Sequence, residues 1–256
     1  MTSRTMCGHF KEKVDAGAFC RGVHCSTGDL AFYEISALMG VDYVWIDTEH
    51  AAMTMTSVVN GISLLQARGV SAIVRIAKCD ETLAKPYLDN GADGIVFPMV
   101  NAPELAEIAV KACRYPPLGN RGFGPQRASA YGELNAAAQI EFANRHVMPI
   151  IQIEHRVAVA HLDEILRVEG VNYAVLGPMD LSLSVNKPGQ LDDPEVADMI
   201  ETVFEKCAAH QVKLGVSMGL DKRFFEYTKA RGAVFISAGN PYSLYKYALD
   251  QWMPRA

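Results

Sequence analysis

Short apolar runs alternate with amphipathic segments along most of the chain. Eight of the runs indicate β-strands, because valine, isoleucine and aromatic residues are frequent in them and glycine, proline or charged residues flank them. In several of the intervening segments, apolar residues recur three or four positions apart, which is the spacing of one face of an α-helix. The predicted strands are residues 18–25, 43–47, 72–75, 94–98, 148–153, 173–176, 213–217 and 233–237.

This alternation predicts an α/β fold, a (β/α)8 TIM barrel formed by a single domain over residues 1–256. A doubly wound sheet is the alternative, but no Gly-x-Gly-x-x-Gly motif follows a predicted strand, so a dinucleotide site is not indicated. Asn101 is the predicted N-cap of the third helix. The predicted helices are residues 26–40, 80–90, 101–112, 133–144, 158–168, 193–207 and 241–252.

A segment rich in proline and glycine, residues 115–125, interrupts the pattern between the fourth and fifth strands. Long inserts within a compact domain commonly serve as functional loops or lids, and we expect that role here. Arg121 within the segment is either a solvated surface residue or a contact for substrate.

Composition and charge narrow the class of protein. Half of the 256 residues are hydrophobic, and 24 Lys and Arg against 29 Asp and Glu give a formal charge of −5. No basic run is present, which argues against nucleic acid or an anionic membrane as partner. There is no apolar signal segment at the start and no stretch of eighteen apolar residues, so we expect a cytoplasmic protein. Six cysteines without a CxxC pair are expected to be mostly small buried hydrophobes.

Polar residues lie at or just beyond the C-terminal ends of several predicted strands. In a barrel of parallel strands these ends share one face, and active sites lie there. Their coincidence at that face predicts a functional site. The residues are Asp47, Glu49, His50, Arg75, Glu154 and Asp180.

Glu154 and Asp180 follow two consecutive strands, and together they predict a metal site. Either acid alone would more often be a helix N-cap or a surface charge. Two hard oxygen donors without a neighbouring thiol suit a divalent cation whose other positions are left to water and substrate. His155 is expected on the opposite side of the strand from Glu154, and His161 belongs to the following helix.

Two further residues of the set have alternative interpretations. His50 could cap a helix, or it could act as a general base oriented by Asp47 three residues earlier. Arg75 could be an ion-pair partner of Glu49, or its guanidinium could stabilise an oxyanion that develops beside a metal.

Six motifs, in order, resemble those of the class II pyruvate-dependent aldolases, which include the 4-hydroxy-2-oxoheptanedioate and 2-keto-3-deoxy sugar-acid aldolases. The resemblance extends from about Ser26 to Gly239. Thr48, His155 and the segment 123–127 depart from the family pattern, which bears on the aldehyde that is used. The motifs are Asp47-x-Glu-His50, Val74-Arg75, Gly94-x-x-x-Pro-Met-Val-Asn101, Arg114-Tyr-Pro-Pro-x-Gly-x-Arg-Gly122, Gln152-Ile-Glu154 and Gly177-Pro-x-Asp-Leu-Ser182.

The resemblance implies that a 4-hydroxy-2-oxo acid is cleaved reversibly to pyruvate and an aldehyde. Glu154 and Asp180 would hold a divalent cation, Mg2+ or Mn2+ in the first instance and Co2+ or Zn2+ as alternatives. Pyruvate would chelate the cation, and Arg75 would help to stabilise the enolate. His50, oriented by Asp47, would remove the hydroxyl proton directly or through a metal-bound water.

The remaining implications concern substrate binding and assembly. Backbone N–H groups of Met179 and Asp180 would bind the pyruvate carboxylate, and Gln152 would steady water or substrate. The family is also similar in being hexameric, so helix 241–252 would pack across subunits and loops of a neighbour would complete the site.

Several rival functions stay open. The nearest is another metal-enolate reaction, such as oxaloacetate decarboxylation or cleavage of a CoA ester. A Schiff-base aldolase would need a buried lysine, and Lys78 and Lys213 are the candidates nearest to strands. A barrel that binds keto acids without catalysis is the third alternative.

Overall fold

The computed structural model describes residues 9–253, and its eight parallel strands close into one barrel. Chain order is also the order around the barrel, because β8 pairs with both β7 and β1. The predicted (β/α)8 TIM barrel is confirmed, and each predicted strand is present with bounds shifted by at most two residues. The strands are β1 (Cys20–Cys25), β2 (Tyr43–Asp47), β3 (Ser71–Arg75), β4 (Gly94–Phe97), β5 (Met148–Ile153), β6 (Tyr173–Leu176), β7 (Lys213–Met218) and β8 (Phe235–Ala238).

The helices surround the barrel, and each strand is followed by a loop that leads into the next helix. None of the helices in the described residues is long and apolar enough to cross a bilayer. In chain order they are α1 (Phe10–Asp15), α2 (Leu30–Leu38), α3 (Met55–Ala67), α4 (Glu81–Asp89), α5 (Pro103–Ala112), α6 (Ala136–His146), α7 (Arg156–Ala160), α8 (Leu162–Leu166), α9 (Pro178–Leu183), α10 (Pro194–Ala209), α11 (Lys222–Ala230) and α12 (Pro241–Trp252).

Three helix predictions differ from the structure. The predicted helix 158–168 is two short helices, α7 and α8, which are separated at His161. Asn101 is not an N-cap, because α5 begins one residue later with Ala102 at that position and without a side-chain cap. Helices α1, α3, α9 and α11 are present although the apolar spacing did not predict them.

The N-terminal end of the barrel is closed by α1. Phe10 stacks on Tyr43 with ring centroids 4.2 Å apart and meets Phe235 edge to face. The Phe10 backbone N–H also donates to Ser71 Oγ at the start of β3. Together with Val14, these rings form an apolar floor at the end of the barrel opposite the predicted site.

Higher in the barrel, the strand register places four polar residues at one height. Alternate strands supply each interior layer of such a barrel. The register pairs His24 with Trp45 and Trp45 with Ile73, and Arg75 lies two residues after Ile73. The same step across two strands leads from Arg75 to Gln152, from Gln152 to Ser217 and from Ser217 back to His24. We call these four residues the upper layer. The layer beneath it is mainly apolar and consists of Trp45, Val96, Val175 and Ser237.

The segment between α5 and α6 lies at the N-terminal end of the barrel, so it does not cover the strand ends of its own chain, and its role as a functional loop stays a prediction. Arg121 is buried and pairs with Asp89, the last residue of α4, at 3.0 Å. Its guanidinium also lies 4.5 Å from the centroid of the Tyr115 ring. Helices in this fold run opposite to the strands, so the end of α4 is at the bottom of the barrel. Arg121 is therefore a structural residue and not a substrate contact.

Helix α12 has the predicted bounds, but none of its side chains is buried. Tyr245, Tyr247 and Trp252 are all more than half exposed. Ile35 and Leu38 of α2 are also exposed, although apolar spacing predicted that helix as well. Both helices therefore present large apolar side chains on the surface of the described residues.

Candidate active site

Arg75 is held by two carboxylates at the C-terminal ends of β2 and β3. Because Asp47 and Arg75 are paired in the sheet register, their side chains meet inside the barrel mouth. Arg75 Nε donates to Asp47 Oδ1 at 3.0 Å and Nη2 donates to Asp47 Oδ2 at 2.7 Å. Its third nitrogen, Nη1, lies 3.2 Å from Glu49 Oε2. This bidentate arrangement fixes the plane of the guanidinium.

The charges of these groups follow from burial and from one another. Burial opposes ionisation of Asp47, but the hydrogen bonds and charge of Arg75, together with the backbone N–H groups of Glu49 and His50, outweigh it and hold the pKa of Asp47 below its usual range. Burial raises the pKa of Glu49, and the neighbouring Arg75 only partly offsets that effect. Arg75 therefore stays charged, with one carboxylate firmly ionised beside it.

His50 lies at the rim of the mouth with an exposed ring. Its Nε2 is 3.6 Å from Glu49 Oε2. Asp47 contacts His50 through the backbone, where the His50 N–H donates to Asp47 Oδ1 at 3.4 Å. Asp47 thus fixes the turn that carries His50, while Glu49 is the acid nearest to the imidazole. The sequence had suggested that Asp47 orients the ring itself.

Glu154 is a buried carboxylate one residue beyond β5. Its Oε1 accepts the Met99 backbone N–H at 2.8 Å, and its Oε2 accepts Gln152 Nε2. Burial raises the pKa of Glu154 to about 7, and the nearby carboxylates of Asp180 and Glu49 add to this effect against the hydrogen bond from Met99. An acid held in this state favours the arrival of a positive charge.

Asp180 and Met179 lie in the first turn of α9, directly after β6, and both side chains are exposed. First-turn amides have no acceptor within their helix, so the backbone N–H groups of these two residues are free of helical bonds. Gly177 brings β6 close to Glu154, since a Cβ there would come within 2.9 Å of the carboxylate and 3.0 Å of Gln152 Nε2. Any side chain at position 177 would displace the acid.

The residues at this end fit a divalent cation bound by few protein ligands. Within residues 9–253 no group of three or more His, Cys, Asp or Glu side chains is arranged to hold a metal. Mg2+ is commonly bound by one or two carboxylates while water and substrate complete its shell. The Glu154 and Asp180 pair matches that pattern, and the buried Gln152 Oε1 beside it has no hydrogen-bond partner in the structure.

Other predicted residues lie elsewhere. Lys78 is exposed after β3, and Lys213 begins β7 at the closed end of the barrel, so neither provides a buried amine at the strand ends. His155 caps α7, where its Nδ1 accepts the Val157 N–H. His161 lies between α7 and α8 and pairs with Glu164.

Sequence reasoning missed His24 and Ser217, which belong to the upper layer with Arg75 and Gln152. His24 Nε2 and Ser217 Oγ are 2.9 Å apart. The alternation of side chains along β1 and β7 could have placed both residues inside the barrel. Their meeting across β8 depends on the closed register, which local patterns do not contain.

Comparison with known proteins points to one family over most of the chain. A family model described as HpcH/HpaI aldolase/citrate lyase matches residues 22–244. A 2-keto-3-deoxy-L-rhamnonate aldolase from Salmonella gallinarum is 34% identical, over 94% of this chain and 90% of that protein. A 4-hydroxy-2-oxovalerate aldolase from Rhodococcus jostii is also 34% identical, over 90% of this chain and 88% of that protein. Relatives of equal identity thus carry the names of different substrates.

Solved structures agree with the fold. The crystal structure of an HpcH/HpaI aldolase from Desulfitobacterium hafniense aligns with a TM-score of 0.87 at 30% identity and covers 94% of both chains. The citrate lyase β subunit from M. tuberculosis, complexed with oxaloacetate and magnesium, aligns with a TM-score of 0.55 at 15% identity. That alignment covers 90% of this chain and 95% of that chain, and it concerns the fold alone.

Proposed function

Because this chain belongs to the HpcH/HpaI aldolase/citrate lyase family, we propose that it reversibly cleaves a 4-hydroxy-2-oxo acid into pyruvate and an aldehyde. The family makes it an aldolase, a lyase of the pyruvate-dependent class II kind. One observation carries the finer proposal. Arg75, held by Asp47 and Glu49 at the end of β3, shares the C-terminal face of the barrel with the buried Glu154 after β5 and with Asp180 after β6.

In the cleavage direction, His50 takes the proton of the C4 hydroxyl group. The C3–C4 bond then breaks, the new carbonyl leaves as the aldehyde, and the electron pair of the bond passes to the pyruvate fragment as an enolate. Arg75 faces the oxygen on which negative charge develops and stabilises it. Protonation of C3 by water completes pyruvate, and the exposed His50 returns its proton to the solvent.

Asp47 and Glu49 support this step through their contacts with Arg75 and His50. Asp47 fixes Arg75 through two hydrogen bonds and fixes the turn of His50 through a third. Glu49 lies between Arg75 and the imidazole and favours a positive charge on the ring after proton transfer. Asp47 therefore acts as a positioning residue in this mechanism.

Glu154 and Asp180 are the residues that would hold the divalent cation, with Mg2+ or Mn2+ as the preferred ions. When bound, the cation supplies Lewis-acid polarisation of the substrate keto oxygen. The donor chemistry supports this assignment, since both ligands are hard oxygen atoms and Glu154 is buried among like charges. The free amides of Met179 and Asp180 bind the carboxylate of the keto acid, and Gln152 offers its unpartnered Oε1 to water or substrate.

Assembly is part of the proposal. The apolar side chains exposed on α12 are expected to pack against a neighbouring subunit in a homohexamer. Sedimentation of the purified protein would give the mass of the assembly, and a monomer at micromolar concentration would contradict this expectation.

The test of the function is exchange of the pyruvate methyl protons with deuterium oxide, followed by NMR. We expect exchange with Mg2+ or Mn2+ and none with excess chelator, because enolate formation needs both the cation and Arg75. Glu154→Gln should abolish exchange, whereas the matched variant Glu226→Gln on the exposed face of α11 should retain it. Exchange that survives the chelator would contradict the metal-dependent reaction, and decarboxylation of oxaloacetate without any aldol cleavage would favour the rival activity.

A further inference from the structure

The upper layer contains two polar residues that the reaction described above does not use. Arg75 and Gln152 face the pyruvate side, where they contact Asp47 and Glu154. His24 and Ser217 complete the same layer from β1 and β7. Both are only partly buried, so they form an accessible part of the floor of the barrel mouth.

The hydrogen bonds of His24 determine which atoms of Ser217 remain available. His24 Nδ1 is 3.1 Å from the carbonyl oxygen of Gly239, which can only accept, so Nδ1 carries the proton. Burial first, and the charge of Arg75 to a smaller extent, lower the pKa of His24 to about 4, so the ring is neutral near pH 7. Its Nε2 is then an acceptor, and the Ser217 hydroxyl group donates a hydrogen bond to it at 2.9 Å.

Ser217 is consequently fixed as an acceptor. A hydroxyl group has one hydrogen to donate and two lone pairs. The hydrogen of Ser217 points to His24, and the structure shows no donor to Ser217 Oγ among the described residues. The floor of the mouth therefore offers lone pairs at this position, which match a group that donates a hydrogen bond.

The location of the pair assigns it to one part of the substrate. In the proposed function the keto acid lies between the acids after β5 and β6 and Arg75 on β3, and we assign the other fragment to the sector of β7, β8 and β1, which adjoins β6. Trp45 links this sector to the reacting centre, since its ring lies 5.2 Å from the His24 ring and 5.5 Å from the Arg75 guanidinium. His50, the base for the hydroxyl on the cleaved bond, follows β2, the neighbour of β1.

We propose that Ser217, fixed by His24, accepts a hydrogen bond from a hydroxyl group of the aldehyde fragment, so that the enzyme selects hydroxylated aldehydes over apolar and acidic ones. This inference rests on the proposed function. An acidic aldehyde would bring a carboxylate, which has only acceptors, toward the lone pairs of Ser217. It would also enter a mouth where Asp47, Glu49, Glu154 and Asp180 already outnumber Arg75.

The test compares aldehydes in the addition direction with pyruvate. The set is propanal, 2,3-dihydroxypropanal and 4-oxobutanoate, and the measured quantity is the ratio of kcat/KM values within one protein. Hydroxylated aldehydes are intrinsically more electrophilic, so the change of this ratio between wild type and variant isolates the contribution of the protein. We expect Ser217→Ala to lower the preference for 2,3-dihydroxypropanal over propanal by about five- to tenfold, the effect of one lost hydrogen bond.

Three further variants make the result specific. His24→Phe should lower the same ratio, because it frees the hydrogen of Ser217, while Ser217→Thr, which keeps a hydroxyl group, should preserve it. Ser71→Ala is the matched control, since it removes a serine hydroxyl inside the same barrel at the closed end. A ratio that is unchanged in Ser217→Ala, or a wild type that prefers 4-oxobutanoate, would overturn the inference. Absence of pyruvate proton exchange in the wild type would instead contradict the proposed function.

Discussion

Two buried arginines lie at opposite ends of the barrel, and the contrast between them separates structure from function. Both form ion pairs, Arg75 with Asp47 and Arg121 with Asp89, and both lie near an aromatic ring. Arg121 pairs with one carboxylate, that of Asp89. Arg75 interacts with three acids, Asp47, Glu49 and Glu154, and the pKa of Glu154 is raised to about 7. An arginine paired with one acid stabilises the fold. Where acids outnumber the arginine, as at the mouth, the proposed function adds a divalent cation as the further positive charge.

Replacement of an acid at the mouth should have the largest effect on catalysis. Glu154→Gln is expected to lower turnover roughly a thousandfold, because it removes a ligand of the cation that stabilises developing charge. Steady-state cleavage assays with saturating Mn2+ measure the loss, and circular dichroism checks that the barrel is intact. Near wild-type turnover would reject Glu154 as a metal ligand.

Removal of the upper arginine should come next. Arg75→Ala is expected to cost about 3 kcal/mol of transition-state stabilisation, since no other cation of the chain contacts the enolate oxygen in this mechanism. The effect should fall on kcat more than on KM, because the charge appears only during the reaction. A loss of kcat/KM of less than about tenfold would exclude that role.

Removal of the lower arginine should produce the opposite profile. Arg121→Ala leaves Asp89 without its partner and is expected to lower the free energy of unfolding by about 3 kcal/mol. The folded fraction should keep its activity, because Arg121 lies at the closed end. Urea unfolding and activity per folded molecule together measure both quantities. A catalytic defect without loss of stability would mean that the segment after α5 does reach a site.

The smallest expected effect is a pH dependence of the free energy of unfolding that comes from Glu154. The folded pKa of Glu154, about 7, lies above the ordinary value, so protonation of this group favours the folded state. Its contribution is complete below about pH 4.5 and is lost as the pH rises through 7, which amounts to about 2 kcal/mol or more. Urea unfolding with chelator at pH 5 and pH 8 should show this loss in the wild type and not in Glu154→Gln. Equal pH dependence of the two proteins would count against it.

The site residues at the strand ends could be predicted from sequence, because the fold places the C-terminal ends of all the strands on one face. Once eight strands were assigned, Asp47, Arg75 and Glu154 had to lie on one face. His24 and Ser217 could not be found in this way, since the upper layer depends on the register of the closed barrel. Each residue alone resembles an ordinary strand residue.

Residues 115–125 show one limit of prediction from the sequence. Proline and glycine content indicated a loop but not the end of the barrel on which it lies. A segment between a helix and the next strand belongs to the N-terminal end, whereas catalytic loops follow strands. The surface of α12 shows a second limit, because helical spacing predicts an apolar face but not whether its partner lies in the same chain.

The apolar floor formed by Phe10, Val14 and the neighbouring rings has a practical consequence for handling the protein. Because α1 seals the end of the barrel opposite the mouth, a tether attached to an exposed residue of this helix lies on the far side of the molecule. Enzyme coupled to a resin or an electrode through that end would present its open mouth to the flowing solution.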